Sequence, residues 1–327
     1  MIVLVATSDG VLRSAGETEL MGATSGLGAA KPTCLAAEPG RSGRAWCGTA
    51  RDGVFRTEDA GASWHALGLR GERVTALAAS PSEPDVVWAG TEPSEVWRSA
   101  DGGTTWQRTR ALQELPSSPT WSFPPRPHTH HVRWIACDPG DAERLWVAVE
   151  AGALVSTRDG GQTWLDRVPD GPWDTHELAI HPERPRTLRV AAGDGYFESH
   201  DAGATWSSPE QGLDVGYLRS VAIDPGRSAV VLVSAASHAH AAYVAGSSDG
   251  RLYRRVSDGP WQRVVAGWPD PPDTIAPLLR PGSAAGELWA ADERGVHRSD
   301  DGGSSWRLHA RYPTTPRNLT GLAVVPG

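Results

Sequence analysis

The chain has almost no lysine. Of its 31 Lys and Arg residues only Lys31 is a lysine, and the formal net charge is −8. No cationic cluster stands out, so the electrostatic footprint of a nucleic-acid binder is missing. Apolar runs are short; none approaches the roughly 20 residues of a membrane helix. The opening MIVLVATSDG lacks a cationic region and predicts no secretory signal. Three cysteines, Cys34, Cys47 and Cys137, are too few for a disulfide framework, and none sits in a CxxC. A reduced, cytoplasmic setting is expected. These absences predict neither nucleic-acid nor membrane partners and leave the oligomeric state open.

Phenylalanine and tyrosine are also scarce, at 3 and 5, whereas tryptophan reaches 15 among 327 residues. The tryptophans mark a repeat. TEDAGASW at 57, SADGGTTW at 99, TRDGGQTW at 157, SHDAGATW at 199 and SDDGGSSW at 299 share Ser/Thr-x-Asp-x-Gly-x-Ser/Thr-Trp. A worn copy, VSDGPW, ends at Trp261. The Trp positions 64, 106, 164, 206, 261 and 306 recur near every 42 residues, with two insertions. Asp and Ser/Thr side chains can close such a turn on its own backbone, and Gly tolerates its positive φ. The Trp then plugs the core.

Ahead of each box lies a hairpin phrase such as RAWCGTARDGVFRT, and ahead of that a short apolar run ending at Pro, such as TCLAAEP. Each unit therefore holds four strands, and nothing reads as a long amphipathic helix. Six complete units start near 31, 73, 131, 174, 217 and 273. The N-terminal VLVATSDGVLRSAG supplies the second and third phrases, and the C-terminal NLTGLAVVPG supplies a first. The prediction is an all-β chain, one domain over 1–327. It forms a single seven-bladed β-propeller of four-stranded blades. Residues 1–26 and 318–327 close the ring together in one blade, leaving no open edge.

The boxes resemble the Asp-box, or BNR, repeat of sialidases, sortilin-type propellers, xyloglucan-cleaving glycosidases and a photosystem assembly factor. The resemblance spans nearly the whole chain. It implies that each box turns between the third and fourth strands, away from the ligand face. The sialidases' Arg-Ile-Pro motif does not occur here. Function must be argued from the other face.

On that face, Lys31, Arg73, His131, Asp174, Tyr217, Asp273 and Asn318 stand just before the first strands. Two residues further come Thr33, Thr75, Arg133, His176, Arg219, Ile275 and Thr320. Arg, His and Arg on consecutive blades at one register point to a ligand at the channel mouth. Insertions near 110–130 and 235–248 bring His128 and His130, and His238 and His240. Each pair is spaced to share one side of an extended segment. The metal reading takes His131, His176 and His240 as ligands, with His128, His130 and His238 as substitutes, for Zn, Cu, Fe or Ni. Glu92, Glu150 and Asp292 share a hairpin register and could complete the sphere or serve as a base. Arg133 and Arg219 are candidates to grip a carboxylate or phosphate. Tyr217 is the nearest approach to a sialidase-like nucleophile. Trp121, Trp173 and Trp268, with Asp174, Asp273 and Arg73, are candidate substrate contacts.

The expected ligand is a small polar, anionic substrate. Three functions compete. The first is an enzyme, metal-assisted in hydrolase, lyase or oxidase fashion. The second is a glycosidase drawing two carboxylates from Glu92, Glu150, Asp174, Asp194 and Asp273. The third is a non-catalytic interaction propeller, which would show an exposed apolar patch.

Overall fold

The structure, a computed structural model, describes residues 1–14, 16, 18–23, 25–269 and 273–326. Seven antiparallel sheets are arranged as the blades of a propeller. The first strands of blades two to seven are Pro32–Ala37, Arg73–Ala79, Val132–Cys137, Thr175–Ile180, Tyr217–Asp224 and Leu278–Pro281. Five sheets have four strands. In blades four and five the outer strand shrinks to a single bridge, at Leu165 and at Ser207. No described helix is long and apolar enough to cross a membrane.

Blade one is the seam. Its order runs Leu319–Val325, Ile2–Thr7, Gly10–Ser14, Leu20–Gly22. Ile2 pairs with Val325 and Val5 with Leu322, so the chain's two ends are neighbouring strands. Val3, Leu4, Val5, Leu322 and Val325 are fully buried there.

The five complete boxes fold alike, between third and fourth strands. In the first, Asp59 accepts from the Ser63 amide at 2.8 Å and the Ser63 hydroxyl at 2.6 Å, while the Gly61 amide donates to Thr57 at 2.9 Å. The same bonds recur around Asp101, Asp159, Asp201 and Asp301. The glycine at the fifth position of each box, such as Gly303 at φ +80°, lies directly against a neighbouring side chain, here Leu232. Two second-strand tryptophans reach these turns. Trp46 donates to the Gly102 carbonyl at 2.9 Å and Trp146 to Ala202 at 3.3 Å, each in the next blade. The boxes therefore couple blades as well as closing turns.

Blade seven departs from the repeat phase. Its first strand begins at Leu278, not near 273. The preceding residues pair with the blade-six insertion instead: the Ala276 amide donates to Ala242 at 3.1 Å and the Gly250 amide to Thr274 at 2.7 Å.

Candidate functional site

Six of the seven first strands carry a bulge at their top, and the bulged residue is the same in each. Register slips past Thr33, Thr75, Arg133, His176, Arg219 and Thr320. A bulge re-aims a side chain, and here it aims six of them into the channel. All six line one cavity of about 140 Å³. Blade seven has no bulge; its Ile275 is buried in the apolar core. Tyr243, at the end of the inserted helix Ala239–Tyr243, takes a place in the cavity wall.

This register has a structural reason the sequence did not reveal. Thr75 donates to the Val132 carbonyl at 2.7 Å and Thr320 to Pro32 at 3.2 Å. Thr33 donates to Val74. His176 Nδ1 bonds Leu218 at 2.5 Å, and Arg219 donates to Ala276 at 2.7 Å. Each of these acceptors lies on the next blade. Matching polar residues on consecutive blades therefore form a zipper around the ring, and need no ligand to explain them. Arg133 is the exception. It donates to the Tyr243 phenol at 3.3 Å, inside the channel.

Above this waist opens a mouth cavity of about 360 Å³. Arg73, Glu92, His131, Arg133, Glu150 and Tyr217 line it, with Phe123, Pro125 and Arg126 from one insertion and Ala239 and Tyr243 from the other. The Pro-flanked Arg126 forks onto Glu92 at 2.7 and 3.0 Å, and Arg73 approaches Glu92 at 3.1 Å. Burial raises the Glu92 carboxyl, but Arg126 and Arg73 outweigh it and hold it below its ordinary value. Glu150 accepts from His131 Nε2 at 2.7 Å and lies 3.5 Å from Arg133. Burial opposes its charge, yet Arg133, His131 and His176 hold it down at about 2.

His176 Nε2 stands 3.6 Å from Asp174, 3.9 Å from Glu150 and 3.3 Å from the Tyr217 hydroxyl. Burial alone would lower its pKa; Tyr243, Asp174 and Glu150 lift it to about 9. Burial raises Tyr243, but His176, Arg133 and Arg219 outweigh it and pull the phenol below its ordinary range. The Arg219 guanidinium lies 4.5 Å from the centre of that ring.

Several predicted contacts lie elsewhere. Trp121 is buried, with its indole N–H on Ser117 and the His130 ring edge-on at 5.6 Å. Trp268 is buried against His297 and Trp306. Trp173 is exposed. None of the three lines either cavity. Asp273 pairs with Arg294 on the surface. Asp292 is buried and spends one oxygen capping the Arg294 and Gly295 amides. His128, His238 and His240 are exposed, the last two stacked on each other at 6.4 Å. His240 therefore does not join His131 and His176. The ligand-type atoms that do gather, all within 4.8 Å of one another, belong to Glu150, Asp174 and His176. Sequence reasoning missed Tyr243 and Arg126. The signal for Tyr243 was there, as one of only five tyrosines and carried on an insertion.

No family model matches the chain. No curated protein matches it. Solved structures do. The GH74 enzyme of Niastella koreensis superimposes with a TM-score of 0.71 at 16% identity, over 93% of this chain and 51% of that one. YCF48 bound to D1 peptide gives 0.60 at 17% identity, over 85% and 80%. A chain of a nidogen/laminin complex gives 0.55 at 12% identity, over 98% and 97%. The chain is a seven-bladed β-propeller. It spans about half the length of the GH74 enzymes it matches. At these identities the likeness concerns the fold, which in these neighbours serves both enzymes and peptide or protein binders.

Proposed function

We propose that the protein binds a small anionic molecule, bearing a carboxylate or phosphate, at the mouth of its channel, and acts on it there. One observation carries this reading. Five guanidinium groups, of Arg73, Arg126, Arg133, Arg219 and Arg280, line the two cavities against three carboxylates, in a chain whose net charge is −8. Arg133 is the anchor. Arg219 spends both terminal nitrogens on backbone carbonyls, and Arg73 and Arg126 are tied to Glu92. Arg133 makes a single side-chain hydrogen bond, to a phenol that a ligand can displace. Ionised Glu150, His131 and Tyr217 line the mouth beside Arg133 and orient the bound molecule. A divalent transition ion fits the same pocket. The three free cysteines suit a reducing, cytoplasmic setting.

A glycosidase reading ranks lower. That chemistry needs one carboxyl kept protonated as the acid, and both mouth carboxylates, Glu92 and Glu150, are held ionised by arginine. An interaction surface is favoured by a different feature, the far end of the channel. There a recess of about 470 Å³ is walled by Leu35, Leu77, Ile135, Leu178, Ile180 and Leu322.

Calorimetry with inorganic phosphate and with succinate tests the proposal. Wild-type protein is expected to bind at least one of them. Arg133→Gln should weaken that binding by about 10- to 100-fold, the value of one charge-assisted pair. Equal binding by the variant, or none by the wild type, overturns the reading.

A further inference from the structure

We infer that Glu150, Asp174 and His176 form a binding site for one divalent transition ion, at the junction of the mouth and waist cavities. The argument rests on which atoms are already occupied. His176 Nδ1 is held by the Leu218 carbonyl at 2.5 Å. It must therefore donate, which leaves Nε2 as the nitrogen that an ion can ligate by displacing its proton. Asp174 Oδ1 is held by the Ala151 amide at 2.8 Å. Glu150 Oε2 is held by His131 at 2.7 Å. Each group thus has one heteroatom fixed by a partner outside the trio and one left over. The three left over, His176 Nε2, Asp174 Oδ2 and Glu150 Oε1, face one another.

Their separations have room for a metal ion. Nε2 lies 3.6 Å from Asp174 Oδ2 and 3.9 Å from Glu150 Oε1. A good hydrogen bond needs about 2.7–3.2 Å, so both carboxylates stand farther from Nε2 than a close hydrogen bond brings them. Ligands at about 2.1 Å around a tetrahedral ion stand about 3.4 Å apart. The two edges that meet at Nε2 are close to that, and the third is within 4.8 Å. The outer partners are of the kind that orient metal ligands, a carbonyl on the imidazole and donors on the carboxylates. One imidazole and two carboxylates suit Zn²⁺ or Mn²⁺. Three protein ligands leave a coordination position open, and the Tyr217 hydroxyl, 3.3 Å from Nε2, stands beside it. This set shares only His176 with the histidine trio expected from the sequence.

Gly193 supplies a test that alters no ligand. A Cβ there would collide with the Asp174 carboxylate, and its φ is ordinary for an L-residue. Untagged protein stripped with chelator is titrated with Zn²⁺ and, separately, Mn²⁺, followed by calorimetry and melting temperature. One site is expected, with a rise in Tm on filling it. Asp174→Asn should abolish it, and Gly193→Ala should weaken it by about 10- to 100-fold. The double variant His238→Ala/His240→Ala should bind as the wild type does. No stoichiometric site, or binding that survives Asp174→Asn, overturns the inference, as does loss in the His238/His240 variant. The proposal refines the mouth-pocket reading but fails separately from it, because phosphate and succinate binding through Arg133 is measured on metal-free protein.

Discussion

Thr75→Val removes a hydroxyl that crosses from one blade to the next and leaves the Val132 carbonyl without that partner. The expected cost is about 1–3 kcal/mol, measured as a lower urea midpoint. A ring held only by apolar packing would not notice the change. Acid stability carries a second residue-scale prediction. Asp101, Asp159 and Asp201 sit at about 2 rather than 3.8, chiefly because Thr105, Thr163 and Thr205 donate to them. Lowered folded-state values mean that the unfolded chain binds protons first. Their stabilisation is full above about pH 4 and is lost as pH falls towards 2. Urea midpoints taken across that window should fall, and Thr105→Val should flatten the fall. Individual residues were only partly legible in advance. Arg133, His131, Glu150 and Tyr217 do line the mouth. Trp121 and Trp268 do not, because a loop indole finds a better home under its own loop than in a polar channel.

At the scale of elements, Trp46 and Trp146 each tie a second strand to the box of the next blade. Trp46→Phe drops the bond to the Gly102 carbonyl and leaves a cavity where the indole's fused ring was buried. A loss of about 2–4 kcal/mol is expected by chemical denaturation. The sequence showed the boxes, since their side chains bond residues within four positions. It did not show that the same turns receive donors from a blade some fifty residues away. The bulges were equally hidden. A one-residue slip leaves the composition of a strand unchanged, but it decides whether Arg133 faces the channel or the sheet. The short helix Ala239–Tyr243 was read only as an insertion, and five residues carry no periodicity to detect.

At the scale of the molecule, stability hangs on the seam. Leu322→Ala, in the strand joining the two ends of the chain, should cost about 2–5 kcal/mol. The same truncation at an exposed Leu165 should cost far less. A propeller whose seam opens exposes the edges of two first-blade strands and loses the circular zipper together. Unfolding curves of the two variants make the comparison.

The sequence by itself determined the blade count, the box turns and the sharing of one blade by both termini, because all three are written in short-range patterns repeated along the chain. Tertiary structure decided which polar residues at one register bond the next blade and which bond across the channel. Threonine, histidine and arginine at that register all reach for a carbonyl of the next blade. Arg133 instead bonds across the channel to a tyrosine more than a hundred residues away. The same holds for the Glu150, Asp174 and His176 cluster. Its free atoms converge because partners on three other segments hold the rest of each side chain, and no spacing along the chain encodes that.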